Sequence, residues 1–133
     1  MPGEAHLSQG IRILVVEDDA DIRQSIASIL TEEGYEVRVA RDGQEALDEL
    51  FREGADLPAL IIFDLLMPRL DGWQLAELLK SYAKTSRIPL IIVSAYAERA
   101  PEGITILGKP MNRDDLLNLV REKSGPRAVA SLS

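Results

Sequence analysis

The stretch IRILVVEDDADIRQSIASILTEEG, residues 11–34, carries two periodicities in succession. Its first six residues form a short apolar run without polar alternation, as expected of a strand buried on both faces. Glu17, Asp18 and Asp19 interrupt that run. From Asp19 to about Glu33 the apolar residues Ile22, Ile26, Ile29 and Leu30 recur at helical spacing, and Gly34 stops the helix. A strand feeding an amphipathic helix is one half of a parallel crossover unit.

The same unit recurs along the chain. A second strand is expected at 35–39 and a second helix from Asp42 to about Arg52, with Asp42 as N-cap, Glu45 in the reciprocal capping position and Ala46, Leu47, Leu50 and Phe51 facing inward. ALIIF (59–63) reads as a third strand. A helix from Gly72 to about Lys84 presents Leu75, Leu78, Leu79 and Tyr82 on one side, and PLIIV (89–93) and ITIL (104–107) supply strands four and five. NRDD (112–115) caps a last helix running to about Lys123, packed through Leu116, Leu119 and Val120. Five apolar strands separated by helices imply an α/β fold: a doubly wound, five-stranded parallel sheet with helices on both faces. Residues 1–10 and 124–133 are expected to be flexible tails around a single domain at 11–123.

Composition narrows the chemistry. At 133 residues the chain is one domain's worth of sequence. Its formal net charge of −7, with no run of adjacent Lys or Arg, speaks against nucleic acid or an anionic membrane surface as partner. Without cysteine, thiolate nucleophiles, disulfides and Cys-based metal sites are excluded, and the lone His6 leaves no basis for a Ser-His-Asp arrangement. The start lacks an apolar signal region and no apolar run is long enough to span a bilayer, so a cytoplasmic protein is expected.

Open parallel sheets bind ligands outside the carboxyl ends of their strands. Strand one ends in Glu17, Asp18 and Asp19, strand three in Asp64, strand four in Ser94 and strand five in Lys109. Carboxylates gathered this closely repel one another and favour a hard divalent cation, for which Mg²⁺ with oxygen ligands is the natural choice. Ser94 and Lys109 are suited to hold phosphoryl oxygens. With no histidine or cysteine nucleophile at hand, an Asp can itself accept a phosphoryl group as an acyl phosphate, and Asp64, central among the strand ends, is the candidate. Plainer roles compete: Asp19, and to a lesser extent Asp18, as helix caps, Pro68 and Asp71-Gly72 as turn formers, Lys109 as a surface cation. Pro110 restrains the backbone of Lys109 and so aims the lysine.

ILVVEDDADIR (13–23), IIFDLLMPRLDGW (61–73), IIVSA (91–95) and GKP (108–110) together resemble the receiver domains of two-component response regulators, over about residues 11–123. The resemblance implies a flavodoxin-like fold with strand order 2-1-3-4-5. It further implies Asp64 as phosphoacceptor, Asp18, Asp64 and the Leu66 backbone carbonyl as Mg²⁺ ligands, and Glu17 acting on the metal through water. Ser94 and Lys109 would contact phosphoryl oxygens. The implied partners are a histidine kinase or histidine phosphotransfer protein and a downstream protein target.

Three departures from the family pattern stand out. Only 14 residues, 95–108, separate Ser94 from Lys109, fewer than receivers usually have, so the family's fourth helix is expected to be missing or cut to about one turn. That loss removes surface through which many receivers dimerise and points to a monomer. Ile106 stands where an aromatic switch residue is usual. Leu66 and Tyr96 occupy the two positions that usually flank the water attacking the acyl phosphate, and neither is acidic or amide. A stand-alone receiver is the leading expectation. An adaptor independent of phosphorylation, or a receiver excised from a hybrid kinase or larger regulator, is the alternative, and an Asp-nucleophile phosphatase a remote one.

Overall fold

The computed structural model describes residues 10–124. Five parallel strands, β1 (Arg12–Val16), β2 (Glu36–Ala40), β3 (Leu60–Phe63), β4 (Leu90–Ser94) and β5 (Thr105–Gly108), lie in the order β2-β1-β3-β4-β5. Between and after them run α1 (Ala20–Glu32), α2 (Gly43–Leu50), α3 (Gly72–Ser81) and α4 (Arg113–Lys123). The β4–β5 connection holds a single 3-10 turn, Ala97–Arg99, in line with the expected shortening of the helix there to about one turn. Among the described residues, no helix is long and apolar enough to cross a membrane.

Side chains that alternate along the strands explain the two layers. Leu14, Val16, Ile61, Phe63 and Ile92 face α2 and α3, where they meet Ala46, Leu50, Leu75 and Leu79. Ile13, Val15, Ile62, Ile91 and Val93 face α1 and α4, where they meet Ile26, Leu30, Leu116 and Val120. Both faces of β1, β3 and β4 are therefore apolar, which is why their sequences read as continuous runs. β2 is one edge of the sheet, β5 the other, and Val39 on β2 stays exposed.

Several local expectations are corrected. α3 ends at Ser81 rather than near Lys84, because Tyr82 turns extended and the buried Thr85 donates its hydroxyl to the Leu79 carbonyl at 2.6 Å, closing the helix end. Phe51, expected to face inward, and Tyr82, expected on the Leu75 and Leu79 side of its helix, are exposed and pack edge to face on each other at 5.2 Å, with the Lys84 ammonium over the Phe51 ring. Glu45 accepts from the Arg41 N–H rather than from Asp42, whereas Asp71 and Gln74 form the full reciprocal capping box that begins α3. Leu117 is buried in α4 and Leu119 only partly so. Ser124, assigned to the tail, is buried and caps α4 through its N–H on the Val120 carbonyl. The remaining tail residues, 1–9 and 125–133, lie outside the described residues.

The close approach of α3 to β3 is made at Gly72. A Cβ there would overlap the Asp64 carbonyl oxygen and come within 2.6 Å of the Leu65 Cα, both of them backbone atoms that cannot swing aside. Gly72→Ala is thus predicted to lower stability by about 2 kcal/mol or more, as overpacking against rigid backbone does. Urea unfolding of the variant beside the unaltered protein measures it.

Candidate functional site

Parallel pairing aligns the strand ends. Val16 lies opposite both Ala40 and Phe63, so Glu17 and Asp64 leave the sheet side by side; Ser94 pairs with Gly108, which places Lys109 one residue beyond. Backbone bonds from Asp64 N–H to Val16 O (3.3 Å) and from Lys109 N–H to Ser94 O (3.1 Å) extend the ladder into the site.

Lys109 reaches back across this edge. Its Nζ donates to Glu17 Oε1 and to Asp64 Oδ2, each at 2.8 Å. Asp64 Oδ1 accepts from the Leu65 N–H at 2.6 Å and more weakly from the Leu66 N–H at 3.4 Å. Glu17 Oε2 accepts from the Asp19 N–H, and the Glu17 carbonyl accepts from Arg23 on α1. Carboxylate oxygens of Glu17, Asp18 and Asp64 all lie within 4.8 Å of one another. Glu17 and Asp64 are buried, and Asp18 is open to solvent.

The electrostatics follow from this packing. Burial pushes Glu17 above the usual carboxylate range, partly offset by Lys109 and the Asp19 N–H, while the neighbouring Asp64 charge pushes the same way as burial. Burial acts to lower the Lys109 ammonium, but its two carboxylate partners outweigh it and hold Lys109 above its ordinary value. One cation against three carboxylates leaves a negative pocket of hard oxygen donors with one open member, a set that fits Mg²⁺.

The remaining expected residues surround this cluster. Ser94 is fully buried and its Oγ accepts from the Tyr96 N–H at 3.1 Å. Leu66 and Tyr96 stand exposed at the rim. Ile106 is half-buried on β5, packed on the α3 side of the sheet. Asp19 takes the capping role, accepting from the Ile22 N–H at 3.0 Å. The lysine, expected to serve a phosphoryl oxygen, is here also the internal counter-ion of the cluster.

Sequence reasoning missed three contributors. Gly72 read as turn chemistry, although it is what admits α3 against Asp64. Arg69 has the left-handed φ of 67° and pairs with Asp42. The Trp73 indole N–H donates to the Arg99 carbonyl at 2.8 Å, tying α3 to the 3-10 turn, and the Arg99 guanidinium stands over the Tyr96 ring. A non-glycine residue after Pro68 within a tight strand-to-helix loop was the one available signal for Arg69.

The response regulator receiver domain profile matches residues 13–121. The chain belongs to the receiver domain family of response regulators. It is 42% identical over 93 residues to response regulator RR06 of Streptococcus pneumoniae serotype 2 (strain D39 / NCTC 7466), covering 69% of this chain but 40% of RR06. It thus spans less than half the length of that relative. An uncharacterized 14.6 kDa protein of Leptolyngbya boryana is 35% identical over 117 residues, covering 83% of this chain and 87% of that protein. Among solved structures, the receiver domain of sensor histidine kinase PA1611 from Pseudomonas aeruginosa PAO1, with a magnesium ion in its active-site cleft, superposes with a TM-score of 0.79 at 27% identity, covering 87% of this chain and 98% of that one. Fold and family therefore agree with the receiver reading of the four motifs.

Because Lys109 compensates two buried carboxylates at once, Lys109→Met is predicted to destabilise the metal-free protein by about 2 kcal/mol, below the 3–5 kcal/mol of fully buried pairs since Lys109 keeps some solvent contact. Chemical denaturation in chelator checks it; an unchanged midpoint would show that the pairing carries no net stabilisation.

Proposed function

We propose that this receiver accepts a phosphoryl group on Asp64 from the phosphohistidine of a histidine kinase or histidine phosphotransfer protein, and signals through a protein partner. The observation that carries the reading is the environment of Asp64: one oxygen steadied by backbone N–H groups, the other on Lys109, and two further carboxylates close enough to share a cation. In the transfer an Asp64 oxygen bonds to phosphorus, the P–N bond breaks and the imidazole leaves with its electron pair.

Asp18 and Asp64, with the Leu66 carbonyl and with Glu17 acting through water, would hold Mg²⁺, as the magnesium in the PA1611 cleft supports. When bound, Mg²⁺ offsets charge on the carboxylates and on the incoming phosphoryl oxygens. Lys109 exchanges part of its carboxylate pairing for a phosphoryl oxygen, and Ser94 turns its hydroxyl toward another. That turn disturbs the Ser94–Tyr96 bond and, through Arg99, the Trp73 anchor, which offers an output route where Ile106 supplies no aromatic ring. The protein acts as a monomer, in keeping with a single 3-10 turn in place of the fourth family helix. An adaptor that merely keeps the scaffold would take up no phosphate.

Incubation with a small acyl phosphate donor and Mg²⁺, followed by intact-mass measurement, is expected to show one added phosphoryl group on the unaltered protein and none on Asp64→Ala. Equal masses for both would turn the reading toward the adaptor.

Lifetime follows from the rim. Leu66 and Tyr96 are 45% and 41% exposed, so slow hydrolysis rests on their inability to position a water rather than on shielding Asp64 from solvent. General acid–base help is worth roughly 10² to 10⁴ in rate, and its lack predicts an acyl phosphate surviving on the order of minutes to hours. Label loss should quicken in Leu66→Asn and Tyr96→Glu; a lifetime of seconds, or unaltered rates in both variants, would contradict this.

A further inference from the structure

We infer that Asp42 and Arg69 are positioning residues for the metal site: their ion pair, in the β2–α2 and β3–α3 loops, latches the segment that carries Leu66. The inference rests on the metal reading above and goes beyond it, since neither side chain belongs to the acidic cluster.

The segment from Leu65 to Asp71 is tethered at both ends. At its start the Leu65 and Leu66 N–H groups hold Asp64, and at its end the Gly72 N–H donates to the Leu65 carbonyl at 2.8 Å. Between these tethers the chain makes a tight turn, with the Leu70 N–H on the Pro68 carbonyl at 2.7 Å and Arg69 at φ 67° in the middle. Arg69 is the one non-glycine residue with positive φ among the described residues, a conformation that an L side chain adopts against a steric penalty. Something outside the turn must hold it there.

Arg69 supplies that hold. Its Nε donates to Asp42 Oδ2 at 2.9 Å and its Nη2 donates to the same oxygen. Asp42 is in turn fixed: its Oδ1 accepts from the Glu45 N–H at 2.8 Å as the N-cap of α2, and its side chain is only 8% exposed. Burial alone would raise the Asp42 carboxyl, yet the Glu45 N–H and Arg69 hold it below its ordinary value. The pair is thus not an ordinary surface ion pair: without Arg69 a nearly buried carboxylate loses its counter-ion. Leu70 adds a second contact, because its carbonyl and side chain occupy the place a Cβ on Gly43 would take. The loop bearing Leu66 is therefore docked on the α2 N-terminus.

The variants separate side chain from backbone. Asp42→Asn deletes the charge but keeps a good N-cap. Arg69→Gly deletes the guanidinium while adopting φ 67° without strain. Arg69→Lys keeps a cation. Mg²⁺ affinity is read from the fluorescence of Trp73, the single tryptophan, and amide hydrogen exchange at Leu70 is read in the metal-free protein.

Asp42→Asn and Arg69→Gly are each expected to weaken Mg²⁺ binding roughly 10-fold, as loss of a supporting partner behind a metal ligand does. The double variant should be no worse than either single one, because the two side chains form one interaction. Arg69→Lys should retain most of the affinity, and Leu70 should exchange faster in the two disruptive variants. Asp18→Ala is the reference. If it weakens Mg²⁺ binding while Asp42→Asn and Arg69→Gly bind like the unaltered protein, or if Leu70 exchange does not change, the positioning role is wrong and the site reading stands. If Asp18→Ala has no effect, the metal reading fails and this inference with it. A pair that served stability alone would lower the melting temperature and leave Mg²⁺ affinity intact.

Discussion

A single ammonium group, Lys109 Nζ, lies 2.8 Å from both Glu17 Oε1 and Asp64 Oδ2, and the rest of the site is arranged around that shared contact. Sheet order makes it possible. β1 and β3 are neighbours, which sets Glu17 beside Asp64, while Lys109 leaves β5 and must reach across the end of β4. Its backbone bond to the Ser94 carbonyl and the cis Lys109–Pro110 bond lie at the start of that reach. Two buried carboxylates in low dielectric repel each other. One cation between them offsets that repulsion but sits against three clustered carboxylates, Asp18 included, so the cluster suits a second, divalent cation.

The backbone around Asp64 is held as closely as its side chain. Gly72 brings α3 against the Asp64 carbonyl, the Asp71–Gln74 box fixes the start of that helix, and the Trp73 indole carries the constraint onward to Arg99. Changes at the carboxylate thereby have a short covalent and hydrogen-bonded route to the shortened β4–β5 connection. Where many receivers place a helix and an aromatic switch, this chain has a 3-10 turn and Ile106.

Much of this was legible in the sequence. Strands buried on both faces announce themselves as unbroken apolar runs, and the ordering of IRILVV, ALIIF and PLIIV among helical repeats sufficed for the sheet; the rule that ligands lie beyond carboxyl strand ends then selected Glu17, Asp18, Asp64, Ser94 and Lys109. Phe51 and Tyr82 were misread because helical spacing assigns apolar residues to the core, whereas these two bury their edges against each other at the surface. Lys109 as counter-ion, Arg69 against Asp42 and the tight approach at Gly72 were not legible, since each depends on contacts between segments far apart in sequence. Residue type indicated the chemistry, and only the packing shows which charges compensate which.

The central claim is that the acidic cluster is short of positive charge and completes itself with a divalent cation. The melting temperature of the unaltered protein, followed against Mg²⁺ concentration at constant ionic strength, tests it most directly, because a ligand of the folded state alone stabilises as the logarithm of its concentration above Kd. The account predicts a saturable onset followed by a steady rise with log Mg²⁺. A melting temperature that responds to ionic strength but not to Mg²⁺ itself would contradict it.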